Sequence, residues 1–395
     1  MTLDRIVVVG GSIAAVTAVE TLRVEGFDGS ITVLSGEPVP PYTRVPLSKG
    51  ALAGNVSLED VMLPPLSSEV DLRLHTRAQG LDVRSRLVYT GDGPVPYDGL
   101  VIATGARARR IGPPGRAENV VRDLEHCSAL RTDLATASSV LVVGGGFLGM
   151  EIASTCRELG KAVTVVDREP PLERLLGPLV GECVRQAAGE AGVRFHIAPK
   201  GVELVGRSAS APSAVRTGDG EVLEADVVVS AVGDVPNVEW LAESGLAVDG
   251  GVRVDAWCRA SPEIVAAGDV AAVAATSGPA RRTPSWSNAV EQARSAARVL
   301  LRGSEAPAYR PSNYHWTEQF GLDVKMSGHL GPAGIPEVVA GSLDRRSALL
   351  VWRASGVAYC VMALNYGIRP AQLKRLARAV KPGAGMTTVD AVLTT

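Results

Sequence analysis

Four glycines within six residues give the clearest chemical signal in the sequence. The run Gly144-Gly145-Gly146-Phe147-Leu148-Gly149 lies between a β-branched segment at 139–143 and a helix-compatible segment at 150–159. Glycines in this pattern permit a tight turn, let a pyrophosphate approach the backbone, and let the helix pack closely on the strand. The helix N-terminus also favours an anion. The pattern predicts a dinucleotide site that includes Gly144, Gly146, Phe147, Leu148 and Gly149.

An acidic residue stands where a dinucleotide site would need one. Asp167 closes the next expected strand, 162–166, 23 residues after Gly144. A carboxylate at this point accepts hydrogen bonds from the adenosine ribose and repels a 2′-phosphate, which favours NADH. Arg168 follows directly and could pair with that phosphate, so NADPH is the less favoured alternative. A small residue at the end of a later strand, Gly233, belongs to the same expected site.

A second and less regular glycine turn lies near the N-terminus. Gly10-Gly11-Ser12-Ile13-Ala14-Ala15 follows the short apolar run at 6–9 and precedes a helix-compatible segment at 14–23 and a strand at 31–34. Ser12 replaces the second glycine of the pattern and Ala15 the third. Glu37 comes after the second strand, at a plausible ribose-binding position. The repeat predicts two nucleotide-binding domains of similar fold.

Two strands and a turn complete these segments. The expected strands at 99–105 and 226–233 both end in small residues. Each strand comes late in the nucleotide-binding segment that contains one of the two glycine turns. The turn Ala266-Ala267-Gly268-Asp269 ends a third strand with a carboxylate that can bond a sugar hydroxyl. A helix is expected over 288–301.

The chain is long enough for two or three domains. The Pro/Gly stretch at 111–115 resembles a crossing point, and the tryptophan- and tyrosine-rich part after residue 310 carries expected strands at 337–341 and 347–352 and a helix at 370–379. We therefore expect an α/β fold with two Rossmann-like dinucleotide-binding domains and a C-terminal α+β domain. The expected bounds are 1–112 with 244–310, then 113–243, then 311–395.

Composition excludes several classes of protein. The 395 residues are 46% hydrophobic and 21% charged, which is too apolar for a disordered chain. A net charge of −2 argues against general nucleic-acid binding. No apolar run reaches the roughly 18 residues of a membrane span, so we expect a cytoplasmic protein without a membrane contact.

The cysteines are too scattered for a redox pair or a metal site. Cys127, Cys156, Cys183, Cys258 and Cys360 include no C-x-x-C and no metal-ligand spacing. An odd, scattered set suits reduced thiols. We expect no bound metal.

Taken in order, these pieces resemble the FAD- and NAD(P)H-dependent pyridine nucleotide-disulfide oxidoreductase superfamily. More narrowly, they resemble its putidaredoxin reductase-like members, the ferredoxin reductases of bacterial P450 and Rieske oxygenase systems. The glutathione-reductase-like fold is implied with them. The resemblance runs nearly end to end, and the segments that carry it are 10–15, 41–49, 103–106, 144–151, 235–237, 266–269 and 316–319.

The resemblance implies a role for individual residues. Glu37 would bind the FAD adenosine ribose, Asp269 the ribityl chain, and Trp316 would pack at the flavin edge. Lys49 and Glu151 would pair beside the flavin as the catalytic residues, with Glu151 also meeting the nicotinamide. The implied FAD contacts are Gly10, Ser12, Ala15, Glu37, Arg44, Pro46, Lys49, Ala103, Thr104, Gly105, Gly268, Asp269, Trp286 and Trp316.

The implied reaction moves a hydride from NADH onto FAD and then single electrons to a ferredoxin-type iron–sulfur protein that feeds an oxygenase. Four positions depart from the family pattern. Ser12 replaces a usual glycine, and Val45 and His315 replace a usual proline and a usual apolar aromatic. Pro284 replaces a frequent glutamate. We expect these departures to be compatible with FAD binding. They leave the identity of the electron-transfer partner undecided.

The partner is expected to be an acidic [2Fe–2S] ferredoxin. Residues 311–395 carry nine Lys+Arg against five Asp+Glu, unlike the chain as a whole. The stretch 369–381 could steer an acidic carrier by charge complementarity, or could be a solvated basic helix.

Three alternatives stay open at this point. An NADH oxidase or peroxidase of the same fold would use a reactive cysteine soon after Lys49, but no cysteine precedes Cys127. A redox-sensing flavoprotein resembling apoptosis-inducing factor would turn over slowly with every carrier. A rubredoxin reductase would differ only in its acceptor. The protein could be a monomer or a homodimer.

Overall fold

A computed structural model describes residues 3–113, 118–206, 213–248, 250–275, 278–354 and 357–379. The chain divides into two compact units. The first comprises residues 1–43, 59–107 and 234–311, and the second comprises residues 44–58, 108–233 and 312–395. The end of the 111–115 stretch and Lys381 lie outside the described residues. The three-domain division stays a prediction.

The described chain contains both strands and helices, with strand–helix–strand segments early in each unit and long runs of strands elsewhere. The strands are β1 (Arg5–Val9), β2 (Ser30–Leu34), β3 (Val70–Arg73), β4 (Ala78–Asp82), β5 (Leu87–Thr90), β6 (Gly93–Pro96), β7 (Gly99–Ile102), β8 (Ala106–Ala108), β9 (Ser139–Val143), β10 (Ala162–Asp167), β11 (Val193–Ile197), β12 (Val202–Val205), β13 (Ala214–Thr217), β14 (Val222–Glu224), β15 (Val227–Ser230), β16 (Asp234–Pro236), β17 (Ala247–Val248), β18 (Gly251–Val254), β19 (Arg259–Ser261), β20 (Ile264–Ala266), β21 (Ala271–Val273), β22 (Arg281–Arg282), β23 (Tyr314–Gln319), β24 (Leu322–Gly328), β25 (Glu337–Ser342), β26 (Ser347–Ala354) and β27 (Val357–Leu364). The α-helices are α1 (Ile13–Val24), α2 (Gly50–Ala53), α3 (Leu124–Thr136), α4 (Phe147–Glu158), α5 (Glu173–Glu190), α6 (Trp286–Arg302) and α7 (Pro370–Ala379). Short 3₁₀ helices span Val45–Ser48, Glu239–Leu241, Gly268–Val270 and Gly303–Glu305.

The first unit is built on a six-stranded sheet of order β19-β20-β7-β1-β2-β3. All of its pairs are parallel except β19–β20. Side chains alternate across a strand. Accordingly, Ile6 and Val8 of β1 join the core that includes α1 and α6, whereas Val7 and Val9 join the core on the opposite face. A strand buried on both faces explains why β1 reads as a continuous apolar run.

Two antiparallel sheets also belong to the first unit. They have the orders β4-β5-β6 and β17-β18-β21-β22, in which β18 and β21 alone pair in parallel. Both sheets contribute to the core that contains Val7 and Val9 of β1. The first sheet contributes Leu81 and Val88, and the second contributes Val252 and Val254. Sequence reasoning did not predict these two sheets.

The second unit repeats the strand–turn–helix–strand pattern. Its parallel sheet has the order β11-β10-β9-β15, with β9 at the centre between β10 and β15. Helix α4 begins at Phe147, three residues before the expected start at Met150. A three-stranded antiparallel sheet, β12-β13-β14, lies beside the parallel one and shares a core with it through Leu204 and Val215. The predicted α/β fold is confirmed.

The C-terminal part of the second unit is a five-stranded antiparallel sheet of order β23-β24-β27-β26-β25. Helix α7 covers one of its faces through buried Leu373 and Leu376. The strands predicted at 337–341 and 347–352 are β25 and β26, and the helix predicted at 370–379 is α7.

No helix in the described ranges is both long enough and apolar enough to cross a membrane.

Helix α1 offers a matched test of the first core. Leu22 is fully buried, whereas Val24, two residues further along the same helix, is 83% exposed. Truncating a buried leucine to alanine costs about 2–5 kcal/mol because it removes apolar contacts and leaves a cavity. We expect L22A to lower the unfolding temperature by several degrees and V24A to leave it nearly unchanged, measured by thermal unfolding. Equal shifts in the two variants would contradict the described packing.

Candidate functional site

The two glycine turns have the same hydrogen-bond geometry. Gly10 N–H donates to the carbonyl of Leu34 at 2.9 Å, and Gly144 N–H donates to the carbonyl of Val166 at 2.8 Å. In each case the acceptor is in the second strand of the unit, at or near its end. The internal repeat is therefore present in the backbone as well as in the sequence.

Both turns require glycine for steric reasons. Gly10 has a φ of +136° and Gly144 a φ of +108°, which L side chains rarely adopt. A Cβ on Gly10 would lie 2.1 Å from the carbonyl oxygen of Ala103, and one on Gly144 would lie 2.3 Å from that of Ala231. In the second turn, a Cβ on Gly149 would lie 1.8 Å from the carbonyl oxygen of Gly144. In the first turn, fully buried Ala15 takes the third position.

The helices that follow the turns begin without a side-chain cap. Helix α1 is preceded by Ser12 in extended conformation and α4 by Gly146, and neither residue makes a side-chain capping bond in the described structure. The first N–H groups of a helix have no partner within the helix and attract anions. Bare glycine backbone next to such helix starts fits the pyrophosphate of a dinucleotide in both units.

The carboxylate of Asp167 is held at the second turn. Its Oδ2 accepts from the N–H of Gly145 and its Oδ1 from the N–H of Arg168, both at 2.6 Å. The adjacent Arg168 side chain is exposed. These contacts place an anion at the end of β10, next to the glycine run.

In the first unit, Glu37 is oriented by a buried tyrosine. The hydroxyl of Tyr42 donates to Glu37 Oε2 at 2.5 Å, and the carbonyl of Glu37 accepts from the N–H of His75 at 2.9 Å. Glu37 therefore has a fixed place after β2, as Asp167 has after β10.

The first unit also joins two segments that are far apart in sequence. Thr104 Oγ1 donates to the carbonyl of Asn237 at 2.8 Å, and Asn237 Nδ2 donates to the carbonyl of Thr104 at 2.9 Å. The N–H of Asn237 also donates to the carbonyl of Gly105 at 3.0 Å. These bonds fix the loop that follows β7.

The turn at Gly268 and Asp269 lies close to the start of α1. A Cβ on Gly268, whose φ is +80°, would lie 3.2 Å from the Cβ of Ala14. The N–H of Gly268 donates to Gln292 Oε1 of α6 at 2.9 Å. Trp286 is the first residue of α6 and is 40% exposed.

The second unit contains a charged cluster around Glu151, in which Glu151 is buried and Lys49 is partly exposed. Lys49 Nζ lies 2.8 Å from Glu151 Oε2, and Ser48 Oγ donates to the same oxygen at 2.7 Å. Thr317 Oγ1 donates to the other oxygen, Oε1, at 2.7 Å. Burying a carboxylate is costly unless it is paired and hydrogen-bonded, and this carboxylate has both kinds of partner.

Short segments position the members of this cluster. Lys49 directly follows the 3₁₀ helix Val45–Ser48, and Thr155 Oγ1 of α4 donates to the carbonyl of Ser48 at 2.8 Å. Glu151 lies one turn after the start of α4, two residues after Gly149. The helix that begins at the predicted nucleotide turn therefore also carries the carboxylate.

One face of β23 lies along α4 and supplies residues that sequence reasoning did not assign. Thr317 contacts Glu151, and the N–H of Phe320 donates to Ser154 Oγ at 2.8 Å. Behind Thr317, Gln319 Nε2 donates to Thr317 Oγ1 at 3.0 Å. The alternation of Thr317 and Gln319 in a strand could have indicated a shared face, but not which helix that face meets.

His315 lies on the same face of β23 as Thr317. Its ring stacks on Phe147 with a centroid distance of 6.5 Å, and its side chain is buried. Burial lowers the pKa of His315 to about 4. The imidazole is therefore neutral at physiological pH and packs here as an aromatic ring.

The remaining predicted residues of the second unit have other contacts. Arg44 Nη1 donates to the carbonyl of Arg122 at 2.7 Å, and Pro46 lies in the 3₁₀ helix. The ring of Trp316 stacks on Tyr314 at 5.9 Å. Gly233 has a φ of +99° and open space around it.

All five cysteines are free, and burial disfavours their thiolates. Burial raises the pKa values of Cys156, Cys258 and Cys360 to about 12 each, and also raises those of Cys127 and Cys183. No group of three His, Cys, Asp or Glu side chains that could hold a metal ion occurs among the described residues.

The paired glycine turns define a protein with two Rossmann-type dinucleotide-binding segments. The family model described as pyridine nucleotide-disulphide oxidoreductase matches residues 4–293. The chain belongs to this family.

Several known proteins are similar to the chain over most of its length. The ferredoxin–NAD(+) reductase component of the anthranilate 1,2-dioxygenase system of Burkholderia cepacia is 36% identical over 358 residues, covering 87% of this chain and 86% of that protein. Rhodocoxin reductase of Rhodococcus erythropolis is 34% identical and covers 86% of this chain and 81% of its own length. The crystal structure of the covalent putidaredoxin reductase–putidaredoxin complex matches with a TM-score of 0.86 at 28% identity, covering 99% of each chain.

The buried imidazole predicts an acid-sensitive stability. The unfolded chain takes up a proton on His315 near its usual pKa of 6.5, whereas in the folded protein the pKa of about 4 delays this protonation. The unfolded state then binds more protons, so stability falls as pH drops from about 6.5 towards 4. H315F keeps an aromatic ring against Phe147. We expect its unfolding temperature to fall less than that of the wild type between pH 6.5 and pH 4. An identical loss in both proteins would show that His315 does not resist protonation.

Proposed function

We propose that this protein is an FAD-dependent oxidoreductase that takes a hydride from NADH and delivers single electrons to a ferredoxin-type iron–sulfur protein serving an oxygenase. The observation that carries the proposal is the ion pair between partly exposed Lys49 and buried Glu151, which lies on the helix that begins at the second glycine turn. One of the similar proteins named above is by name a ferredoxin–NAD(+) reductase component of a dioxygenase system, and the other is by name a rhodocoxin reductase.

The first unit would hold the FAD. Its glycine turn, with uncapped α1, suits the pyrophosphate, and Tyr42-oriented Glu37 suits the adenosine ribose. Asp269 suits the ribityl hydroxyls because a carboxylate accepts hydrogen bonds from alcohols. Bound FAD would supply the redox chemistry, accepting a hydride and releasing electrons one at a time.

The second unit would bind the NADH and supply the charged pair. Gly146 leaves room for the pyrophosphate at the start of α4, and Gly144 and Gly149 let the turn, the helix and the later strand pack closely. The Lys49 ammonium would stabilise negative charge that develops during hydride transfer. Glu151 keeps that ammonium in place and has a fixed orientation for a nicotinamide carboxamide.

We further propose that NADH is preferred to NADPH. The carboxylate of Asp167, held by two backbone N–H groups at 2.6 Å, would accept from the ribose hydroxyls and repel a 2′-phosphate. The exposed Arg168 would limit, but not reverse, this preference.

The thiols favour an external acceptor. A dithiol or a reactive single cysteine requires an accessible thiolate. The five cysteines of this chain are free and have raised pKa values. Electrons would therefore leave to a separate carrier and not pass to a thiol of this chain.

A stopped-flow experiment tests the function. We expect NADH to reduce the flavin of the holoprotein anaerobically with a higher kcat/KM than NADPH, and a [2Fe–2S] ferredoxin to stimulate cytochrome c reduction severalfold. Free FAD with the same ferredoxin is the control for non-enzymatic transfer. A holoprotein whose electron flow to cytochrome c is indifferent to ferredoxin would contradict the proposal.

The same assay separates the alternatives. Rapid NADH consumption with oxygen and no carrier would indicate an NADH oxidase. Stimulation by rubredoxin and not by ferredoxin would indicate a rubredoxin reductase. Slow turnover with every carrier, together with a long-lived complex with NAD⁺, would indicate a redox-sensing flavoprotein.

We place the docking site for the acidic carrier at the basic helix α7. Lys374 of α7 lies over the ring of Tyr314 at 5.0 Å from its centroid, and Tyr314 stacks on Trp316, the residue expected at the flavin edge. A positive helix beside that aromatic pair would attract an acidic protein and orient it.

Removing charge from α7 should slow the carrier specifically. We expect R375Q combined with R378Q to reduce the rate of ferredoxin reduction severalfold at low salt, with the difference shrinking as salt rises because screening weakens steering. Reduction of ferricyanide should not change. The matched control is R194Q combined with R253Q, which neutralises two exposed arginines outside α7. If the R375Q/R378Q variant reduced ferredoxin at the wild-type rate at low salt, the proposed docking site at α7 would be contradicted.

A further inference from the structure

The two carboxylate oxygens of Glu151 have different partners. Lys49 and Ser48 both contact Oε2 of Glu151. Among the described residues, the hydrogen bond that Oε1 accepts comes from Thr317 of β23. The two oxygens of one carboxylate are therefore bound by residues from two distant parts of the sequence, 48–49 and 317.

The direction of the bonds around Thr317 is fixed by donor chemistry. A threonine hydroxyl has one proton to donate and two lone pairs to accept with. Gln319 Nε2 donates to Thr317 Oγ1 at 3.0 Å, and Thr317 Oγ1 lies 2.7 Å from Glu151 Oε1. Because an ionised carboxylate can only accept, the hydroxyl proton points to Glu151. Gln319 thus keeps the Thr317 hydroxyl from rotating away from Glu151.

The hydrogen bond from Thr317 to Glu151 is buried, so water cannot easily take its place. Thr317 has no exposed surface, and Gln319 is 3% exposed. Hydrogen bonds to charged groups are stronger than neutral ones, and water cannot readily replace a donor at a buried site. Without the hydroxyl, the carboxylate would be free to rotate about its terminal bond, and both oxygens would compete for Lys49 and Ser48.

We propose that Thr317 is a positioning residue for hydride transfer, because its hydroxyl fixes the Glu151 carboxylate so that one oxygen stays on Lys49. This role rests on the proposed function. Thr317 acts through Glu151 and contacts neither Lys49 nor Ser48 in the hydrogen bonds described above. The C-terminal sheet thereby contributes to the chemistry of a helix that begins at the nucleotide turn.

The test replaces the hydroxyl while keeping the side-chain shape. In T317V holoprotein, we expect the rate constant of flavin reduction at saturating NADH to fall about tenfold, as expected for a lost hydrogen bond to a charged group. T317S, which restores the hydroxyl, should retain at least about half of the wild-type rate. If T317V does not fold, T317A is measured in the same way.

The matched control is S327A. Ser327 is a buried hydroxyl on the neighbouring strand β24, directly opposite Tyr314, and donates to the carbonyl of Ser312 at 3.0 Å. We expect S327A to lower the unfolding temperature as much as T317V does, with the rate of flavin reduction unchanged. A second readout is the affinity for NAD⁺, titrated by its effect on the flavin absorption, which should weaken severalfold in T317V and not in T317S or S327A.

A double-mutant cycle links the effect to the carboxylate. If Thr317 acts through Glu151, adding T317V to E151Q should lower the rate of flavin reduction less than twofold further. An equal loss in both backgrounds, or a T317V rate equal to that of S327A, would overturn the proposal while the wild type still reacts with NADH. A wild-type holoprotein that NADH does not reduce would overturn the proposed function and this role together.

Discussion

The burial of one carboxylate organises the second unit. Glu151 lies on α4 with little access to water, so its charge must be balanced by a cation and its oxygens must find donors. Lys49 provides the cation, and Ser48 and Thr317 provide hydroxyl donors. These partners come from residues 44–58 and from the C-terminal sheet. The requirement to satisfy one charge therefore connects three stretches of chain in a single unit.

A second constraint, the geometry of the glycine turns, acts in both units. Gly10 and Gly144 have left-handed backbone conformations and lie against the carbonyls of Ala103 and Ala231, so each turn is held between a helix start and a later strand. The first N–H groups of the helix that follows each turn have no partner within the helix, which favours an anion at that end. Substitution of either glycine would push the strand and the turn apart, which explains why both turns keep a glycine at the first position although their later positions differ.

The departure at position 315 changes the chemistry less than its residue type suggests. A histidine can titrate near neutral pH, but burial lowers the pKa of His315 to about 4, and its ring stacks on Phe147. The folded protein thus uses a titratable residue as an aromatic one. The consequence is a dependence of stability on acid and not a catalytic proton at neutral pH.

The sequence by itself determined the features that depend on local spacing. The strand–glycine–helix pattern predicted β1, α1, β9 and α4 within a few residues, because backbone turns and buried parallel strands constrain short segments directly. It also indicated the pyridine nucleotide-disulphide oxidoreductase family, to which the chain belongs. The antiparallel sheets β4-β5-β6 and β12-β13-β14 have short strands with weak alternation, and sequence reasoning missed them.

The resemblance implied that Lys49 pairs with Glu151, but only the tertiary structure decided which other distant side chains meet that carboxylate. Thr317 and Gln319 were visible as part of a motif, but an alternating strand face does not specify the helix that it contacts. The segment 44–58 likewise packs with the second unit, although it follows the first strands of the first unit in sequence. Contacts between residues more than 100 positions apart, such as those of Glu151, depend on the balance of packing and charge over the whole fold.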